Sequence, residues 1–248
     1  MLSKLIEAIL ARIIEIMVHK QEILTRKERA AQDAYISTIE ICERKTKHPV
    51  IAALIGLVGS GKSSVAKELA GHIGATIVEG DGIRIELRKQ NEGYERARAI
   101  AENTAIEIIS RGSNVIIDSD FIDAKKRASL REKARKADIR LVFICTYAEL
   151  DVMIGRALTA RYQNRTDDFF GGASSKWQGN EQSKGATVKI REMIRRMPLH
   201  YRWKNIQGGE WVIKNPPCAV LANIDTTNPE EWKREVEKCA KKLIWWAY

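Results

Sequence analysis

Apolar residues recur along this chain in two rhythms. Short, nearly unbroken runs at 50–58, 75–78, 114–117, 139–146 and 218–223 have the length and composition of strands covered on both faces. Between them, apolar positions return every three to four residues, as at Val65, Leu69 and Ile73, or at Ala97, Ile100, Ala101, Thr104 and Ile108. This spacing predicts helices at 62–73, 94–111, 124–137, 149–161, 186–196 and 229–243, with residues 198–217 read as irregular. Strand and helix alternate from residue 50 onward, which predicts an α/β fold: a parallel five-stranded sheet with right-handed crossovers and helices on both faces.

The first 47 residues follow a different pattern and read as a helical extension, separate from a domain spanning 48–248. Leu2, Leu5, Ile6, Ile9, Leu10, Ile13, Ile14 and Met17 form one apolar stripe, and Pro49 ends the helical region by restricting its neighbour. Three readings of the stripe are open: packing back on the core, self-association, or a helix lying on a membrane surface. The acids among its polar positions speak against the last.

Composition narrows the class of partner. The net charge is +10 and the sequence pI about 9.5, so an anionic partner is expected. Residues 151–215 hold twelve Lys and Arg against six Asp and Glu, which concentrates the excess there. Trp177, Tyr201, Trp203 and Trp211 lie in the same stretch and read either as packing residues or as stacking platforms for nucleobases. Cys42, Cys145, Cys218 and Cys239 are widely spaced with no metal-binding pattern, as expected of reduced thiols in a cytoplasmic protein. No uncharged run is long enough to suggest a membrane span.

The chemistry is announced between the first strand and the first helix of the alternating region. Gly56 to Ser63 read G-L-V-G-S-G-K-S, matching the phosphate-cradling pattern G-x-x-x-x-G-K-[ST] in the strand–turn–helix setting it requires. Gly56, Gly59 and Gly61 let successive N–H groups turn inward on a polyphosphate. The helix start beside them, with Ser60 and Ser64 flanking, adds a partial positive charge. Lys62 is placed to reach the outer phosphates and the Ser63 hydroxyl to hold Mg²⁺. Three acids, Asp81, Asp118 and Asp120, fall at or just past strand ends, on the rim where ligands of parallel sheets bind.

Taken together, GLVGSGKSSVAKELA, VEGDGIRIEL, SRGSNVIIDSDF and RALTAR resemble the small P-loop kinases, with polynucleotide-kinase-like and zeta-toxin-like phosphotransferases nearest in pattern, over roughly residues 51–165. The resemblance implies ATP and Mg²⁺ as cofactors. It also implies a hydroxyl acceptor on an anionic substrate: a nucleic acid end, a nucleotide or a nucleotide sugar. Under it Asp81 takes the acceptor's proton, Arg84 places an acceptor phosphate, Asp118 assists acceptor or Mg²⁺, and Arg156 and Arg161, with Arg165 as a further candidate, act from a lid at about 156–197. The residues themselves leave Asp81 a second reading as a helix cap, and leave Asp120 as a rival of Asp118. EGDGIRIEL also resembles the adenylylsulfate kinases, although those usually lack an acid where Asp118 stands. A nucleotide-binding regulatory protein without catalysis is the reading from another class.

Overall fold

In the computed structural model, the structure describes residues 23–163, 168–173, 175–205 and 208–245. The stripe at residues 2–17 and Arg165 lie outside them. Ordering the elements along the chain gives α1 (Arg26–Thr38), β1 (Val50–Ile55), α2 (Lys62–Ile73), β2 (Ala75–Glu79), α3 (Gly80–Lys89), α4 (Ala97–Ser110), β3 (Asn114–Asp118), α5 (Ala124–Lys136), β4 (Arg140–Tyr147), α6 (Leu150–Thr159), α7 (Glu181–His200), β5 (Tyr201–Lys204), β6 (Glu210–Ile213), β7 (Ala222–Asp225) and α8 (Trp232–Trp245).

Five strands form the expected parallel sheet, in the order β2-β3-β1-β4-β7. β1 sits at its centre and is buried over its full length. Alternate residues of β1 feed two cores, as period-two geometry requires. Ile51, Ala53 and Ile55 join the core beneath α1, α3, α4 and α5, whereas Val50, Ala52 and Leu54 join the core with α2 and α8. Apolar burial on both faces explains why the strand sequences lack polar alternation. The result is the α/β fold of P-loop kinases, with the carboxyl ends of β1, β2 and β3 opening on one rim.

Residues 23–49 are woven into this body. Thr25 caps α1 in a reciprocal box with Glu28. Leu24, Ala31 and Tyr35 enter the core. The chain after α1 then runs beside the edge strand β2, where the Thr76 hydroxyl accepts from the Cys42 amide and donates to the Glu40 carbonyl. An edge strand left bare would invite pairing with other chains, and this segment covers it.

Three expectations are corrected. Residues 198–217 are not irregular: α7 runs through Pro198 to His200, and β5 and β6 form an antiparallel hairpin outside the main sheet. YRWK alternates apolar and polar residues, EWVI brings three consecutive half-buried apolar ones, and Gly208 and Gly209 take the positive φ of the turn. The last sheet strand begins at Ala222 instead of residue 218, and the Leu221 amide just before it already donates to the Phe143 carbonyl of β4. The closing helix starts at Trp232, beyond the turn at 229–231. Among the described residues no helix is long and apolar enough to cross a membrane.

Candidate active site

The phosphate-loop sequence forms the bend between β1 and α2. Gly59 and Gly61 take φ of 86° and 81°, the left-handed region that an L side chain resists. A Cβ on Gly56 would stand 2.4 Å from both Ser60 Oγ and Thr146 Oγ1, so the loop closes there only on glycine. The helix start carries no side-chain cap; its N-cap is Gly61, which leaves the first-turn amides for a ligand. Lys62 Nζ donates to the carbonyls of Gly56 (2.9 Å) and Leu57 (3.0 Å), folded onto its own loop. Ser63 and Ser64 are exposed on the first turn, while Ser60 is fully buried and its hydroxyl pairs with Thr146 at 2.8 Å. Ser60 can therefore offer a ligand its backbone, not its side chain.

This donor set fits a polyphosphate: uncapped amides, positive-φ glycines and an ammonium held only by loop carbonyls. For Mg²⁺, the fitting groups are the Ser63 hydroxyl and the partly exposed carboxylate of Asp118. No group of three or more His, Cys, Asp or Glu side chains among the described residues forms a metal cluster of its own, so the remaining donors would come from nucleotide and water.

The acids divide into two kinds. Asp81 does not cap α3: the N-cap position belongs to Glu79, and the Asp81 carboxylate accepts from Arg84 Nη1 at 2.8 Å. Its side chain remains 47% exposed, although the protein around it removes part of its water. That desolvation, aided by the charge of Asp118, raises its pKa above the ordinary carboxylate value against the pull of Arg84 and Lys62. Glu79 is raised in the same way, by burial and then by Asp118. Asp118 ends β3 in register with Glu79.

Asp120 is of the other kind. Its carboxylate accepts from the Gly56 amide (3.3 Å), the Ile122 amide (3.1 Å) and Arg196 Nη2, and pairs with His200 Nε2 (2.9 Å). Burial pushes its pKa up, but the hydrogen bond and charge of His200 and the charges of Arg196 and Lys62 outweigh burial and hold it far below the ordinary range. With its lone pairs committed, Asp120 fastens α7 to the phosphate loop.

The predicted arginines also separate. Arg84 faces Asp81 and lies 5.6 Å from the centre of the Phe169 ring. Arg156 donates to the Gly59 carbonyl (3.0 Å), Thr226 Oγ1 (2.9 Å) and the Thr226 carbonyl (2.5 Å), bracing the phosphate loop against the end of β7. Arg161 is exposed and makes no hydrogen bond or ion pair with another described residue. Within the expected lid region, Asp168 and Phe169 lie on α3: Arg88 donates to their carbonyls, and Phe169 packs edge-on to Tyr94 at 5.8 Å.

Two cations of the cleft escaped the sequence reading. Lys189 stands over the rings of Phe170 (5.5 Å) and Tyr162 (5.6 Å), within the field of Asp81 and Lys62. Lys126 Nζ donates to the Asp120 carbonyl at 3.4 Å, within the field of Arg196 and Arg84. Helical spacing held part of the signal, because Lys189, Arg196 and His200 share one stripe of α7 with the buried Met193. Of the aromatics, Tyr201 is buried and donates to the Ala148 carbonyl, and Trp203 packs on Trp211 at 5.4 Å. Trp177 is exposed.

Comparison with known proteins agrees with this architecture. The signature of a protein family described as "AAA domain" matches residues 51–174, half of the chain. An adenylyl-sulfate kinase of Myxococcus xanthus (strain DK1622) is 30% identical over 119 residues, covering 44% of this chain and 64% of the relative. An uncharacterised protein of Mycobacterium tuberculosis (strain ATCC 25618 / H37Rv) is 28% identical over 158 residues, 57% of this chain and 32% of the relative. The chain thus spans less than two thirds of the length of these curated relatives. Among solved structures, a protein of Chloroflexus aurantiacus J-10-fl described as a candidate kinase superposes with a TM-score of 0.51 at 17% identity, over 79% of this chain and 98% of that one, a likeness of fold.

Proposed function

The chain belongs to the AAA domain family, and we propose that it is an ATP-dependent phosphotransferase that moves the γ-phosphoryl group to a hydroxyl of an anionic acceptor. One observation carries the reading: Asp81, with its raised pKa and its Arg84 partner, stands within the field of Lys62 on the rim of an uncapped phosphate loop.

In this reading Lys62 leaves the carbonyls of Gly56 and Leu57 for the phosphates, joined by the amides of the glycine bend and the first turn of α2. Asp81 accepts the proton of the acceptor hydroxyl, and a raised pKa brings it closer to the working pH of a general base. Arg84 bonds Asp81, Lys189 lies within the field of Asp81 and Lys126 within the field of Arg84, and these cations neutralise charge on the acceptor and on the moving group. Mg²⁺, held by Ser63 and Asp118, would shield the phosphate charges.

The cationic cleft supports an acceptor that already bears phosphate or sulfate, on a nucleotide, a nucleotide sugar or a nucleic acid end, the classes that the polynucleotide-kinase-like and zeta-toxin-like resemblance suggests. The likeness to an adenylyl-sulfate kinase favours a small nucleotide-type acceptor as a second reading. The test is a panel of such acceptors with γ-labelled ATP and Mg²⁺, run beside Lys62→Ala and Asp81→Asn. A labelled product is expected, with Asp81→Asn lowering turnover by about 10²- to 10⁴-fold while ATP still binds. Turnover unchanged by Asp81→Asn would overturn its role as base, and ATP binding with no product on any acceptor would favour a regulatory protein.

A further inference from the structure

Tyr35 belongs to α1, which precedes the family's matched region. Yet its side chain, only 4% exposed, ends at the rim of the candidate active site. The Glu79 amide donates to the Tyr35 hydroxyl at 2.6 Å. Glu79 closes the edge strand β2, so a single side chain takes the place of a neighbouring strand at this position. Glu79 is also the N-cap residue of α3 and makes no side-chain cap bond, so this hydroxyl helps to fix where the helix begins. The ring of the same tyrosine lies over Gly82, where a Cβ would stand 2.6 Å from Tyr35 Cε2. Asp81 lies between these two contacts in sequence, in the first turn of α3.

We infer that Tyr35 is a positioning residue for Asp81: its hydroxyl anchors Glu79, its ring seats against Gly82, and the turn that carries Asp81 is held on both sides of that residue. This inference rests on the proposed role of Asp81 as base. The grip itself is anchored elsewhere along α1. Buried Glu28 pairs with Arg96 at 3.2 Å, and Gln32 donates to Glu107 at 3.0 Å, so α1 is fixed to the flank of α4 before it reaches α3. A phenylalanine at position 35 would keep the ring on Gly82 and lose only the anchor to Glu79. That makes Tyr35→Phe the informative variant, and Gly82→Ala the complementary one, since it displaces the ring and leaves the hydroxyl in the chain.

The test has two arms. In the first, labelled-ATP turnover is measured on an acceptor identified by the panel. Tyr35→Phe is expected to lower kcat about five- to thirty-fold, the scale of one lost buried hydrogen bond, with the KM for ATP within about two-fold of wild type. In an Asp81→Asn background the same change should add no further loss, because the group being positioned is gone. An equal loss in both backgrounds, or a change confined to KM, would overturn the inference. The second arm needs no acceptor. Amide hydrogen exchange is expected to quicken at Glu79 to Arg84 in both Tyr35→Phe and Gly82→Ala, with the strands β1, β3 and β4 unchanged. Unchanged exchange at Glu79 to Arg84, or quickened exchange across all strands, would overturn it. Should the panel yield no product, the phosphotransferase reading falls while the exchange arm still decides whether Tyr35 holds this turn.

Discussion

Asp120 and His200 meet at 2.9 Å, carboxylate oxygen to Nε2, and this contact fastens the last turn of α7 to the chain just past β3. The two groups lie eighty positions apart in sequence. Arg196 shares the same carboxylate oxygen, and the other oxygen accepts from the first amide of the phosphate loop. One buried acid thus joins the region beyond the candidate lid to the loop expected to hold phosphates.

Asp120→Asn is expected to destabilise the fold by about 3–5 kcal/mol, because it deprives the buried His200 and the partly buried Arg196 of their carboxylate partner. Urea unfolding at neutral pH, with an unchanged m-value, measures this. The pH dependence has a definite sign. Folding lowers the Asp120 pKa, so its contribution is in full above the unfolded value of about 3.9 and fades as pH falls from there toward the folded value. The gap between wild type and Asp120→Asn should therefore narrow in acid.

Asp118→Asn should behave in the opposite way. The charge of Asp118 raises the pKa of both Glu79 and Asp81, so removing it relieves repulsion on the rim. Stability is expected to stay within about 1 kcal/mol of wild type or to rise, while turnover falls about 10²-fold or more. Melting temperature and labelled-ATP turnover on the same preparation separate the two aspartates. A large loss of stability in Asp118→Asn would place it with Asp120 as a structural acid.

The two arginines predicted for the lid should also part company. Arg156→Ala removes three hydrogen bonds that brace Gly59 against Thr226. Nucleotide affinity should fall about 10- to 100-fold, the scale of charge-assisted bonds lost at a loop that must hold its shape. Arg161 is exposed, and Arg161→Ala should leave affinity within about two-fold. Titration with a fluorescent ADP analogue measures both.

The parallel sheet and the phosphate loop were legible because their signals are local. A doubly covered strand must be a continuous apolar run, and a polyphosphate cradle must place glycine where φ turns positive, as at Gly59 and Gly61. Asp81 and Asp118 were legible as acids at strand ends. What stayed hidden depends on contacts between distant parts of the chain. Nothing near Asp120 in sequence announces that His200 and Arg196 will neutralise it, and nothing in α1 announces that Tyr35 will reach Glu79. The bonds of Arg156 to Thr226, seventy positions further on, were hidden for the same reason. The β5–β6 hairpin was missed because Pro198 and the prolines at 216 and 217 made the whole stretch read as loop.

Lys189 and Lys126 give the most direct test of the acceptor's charge. Both ammonium groups sit against the cleft in partial burial, Lys189 over two aromatic rings and Lys126 beside the Asp120 carbonyl. Burial is the main cause that lowers each pKa below the ordinary lysine value. The next cause is the positive charge of Arg196 for Lys126, and the opposing pull of Asp81 for Lys189. A desolvated cation gains more from an incoming anion than a solvated one does, so Lys189→Ala and Lys126→Ala should each raise the acceptor KM about ten-fold or more. The affinity for a fluorescent ADP analogue should stay nearly constant. The pH sign follows from the same shift: acceptor binding should weaken as pH rises, beginning below the pH at which an ordinary lysine loses its proton. Wild type should show that alkaline loss in KM, and the double variant should show a flatter profile at a uniformly high KM. If both lysines can be removed without raising the acceptor KM, the acceptor's anionic group lies elsewhere, and Arg84 would be the remaining candidate for holding it.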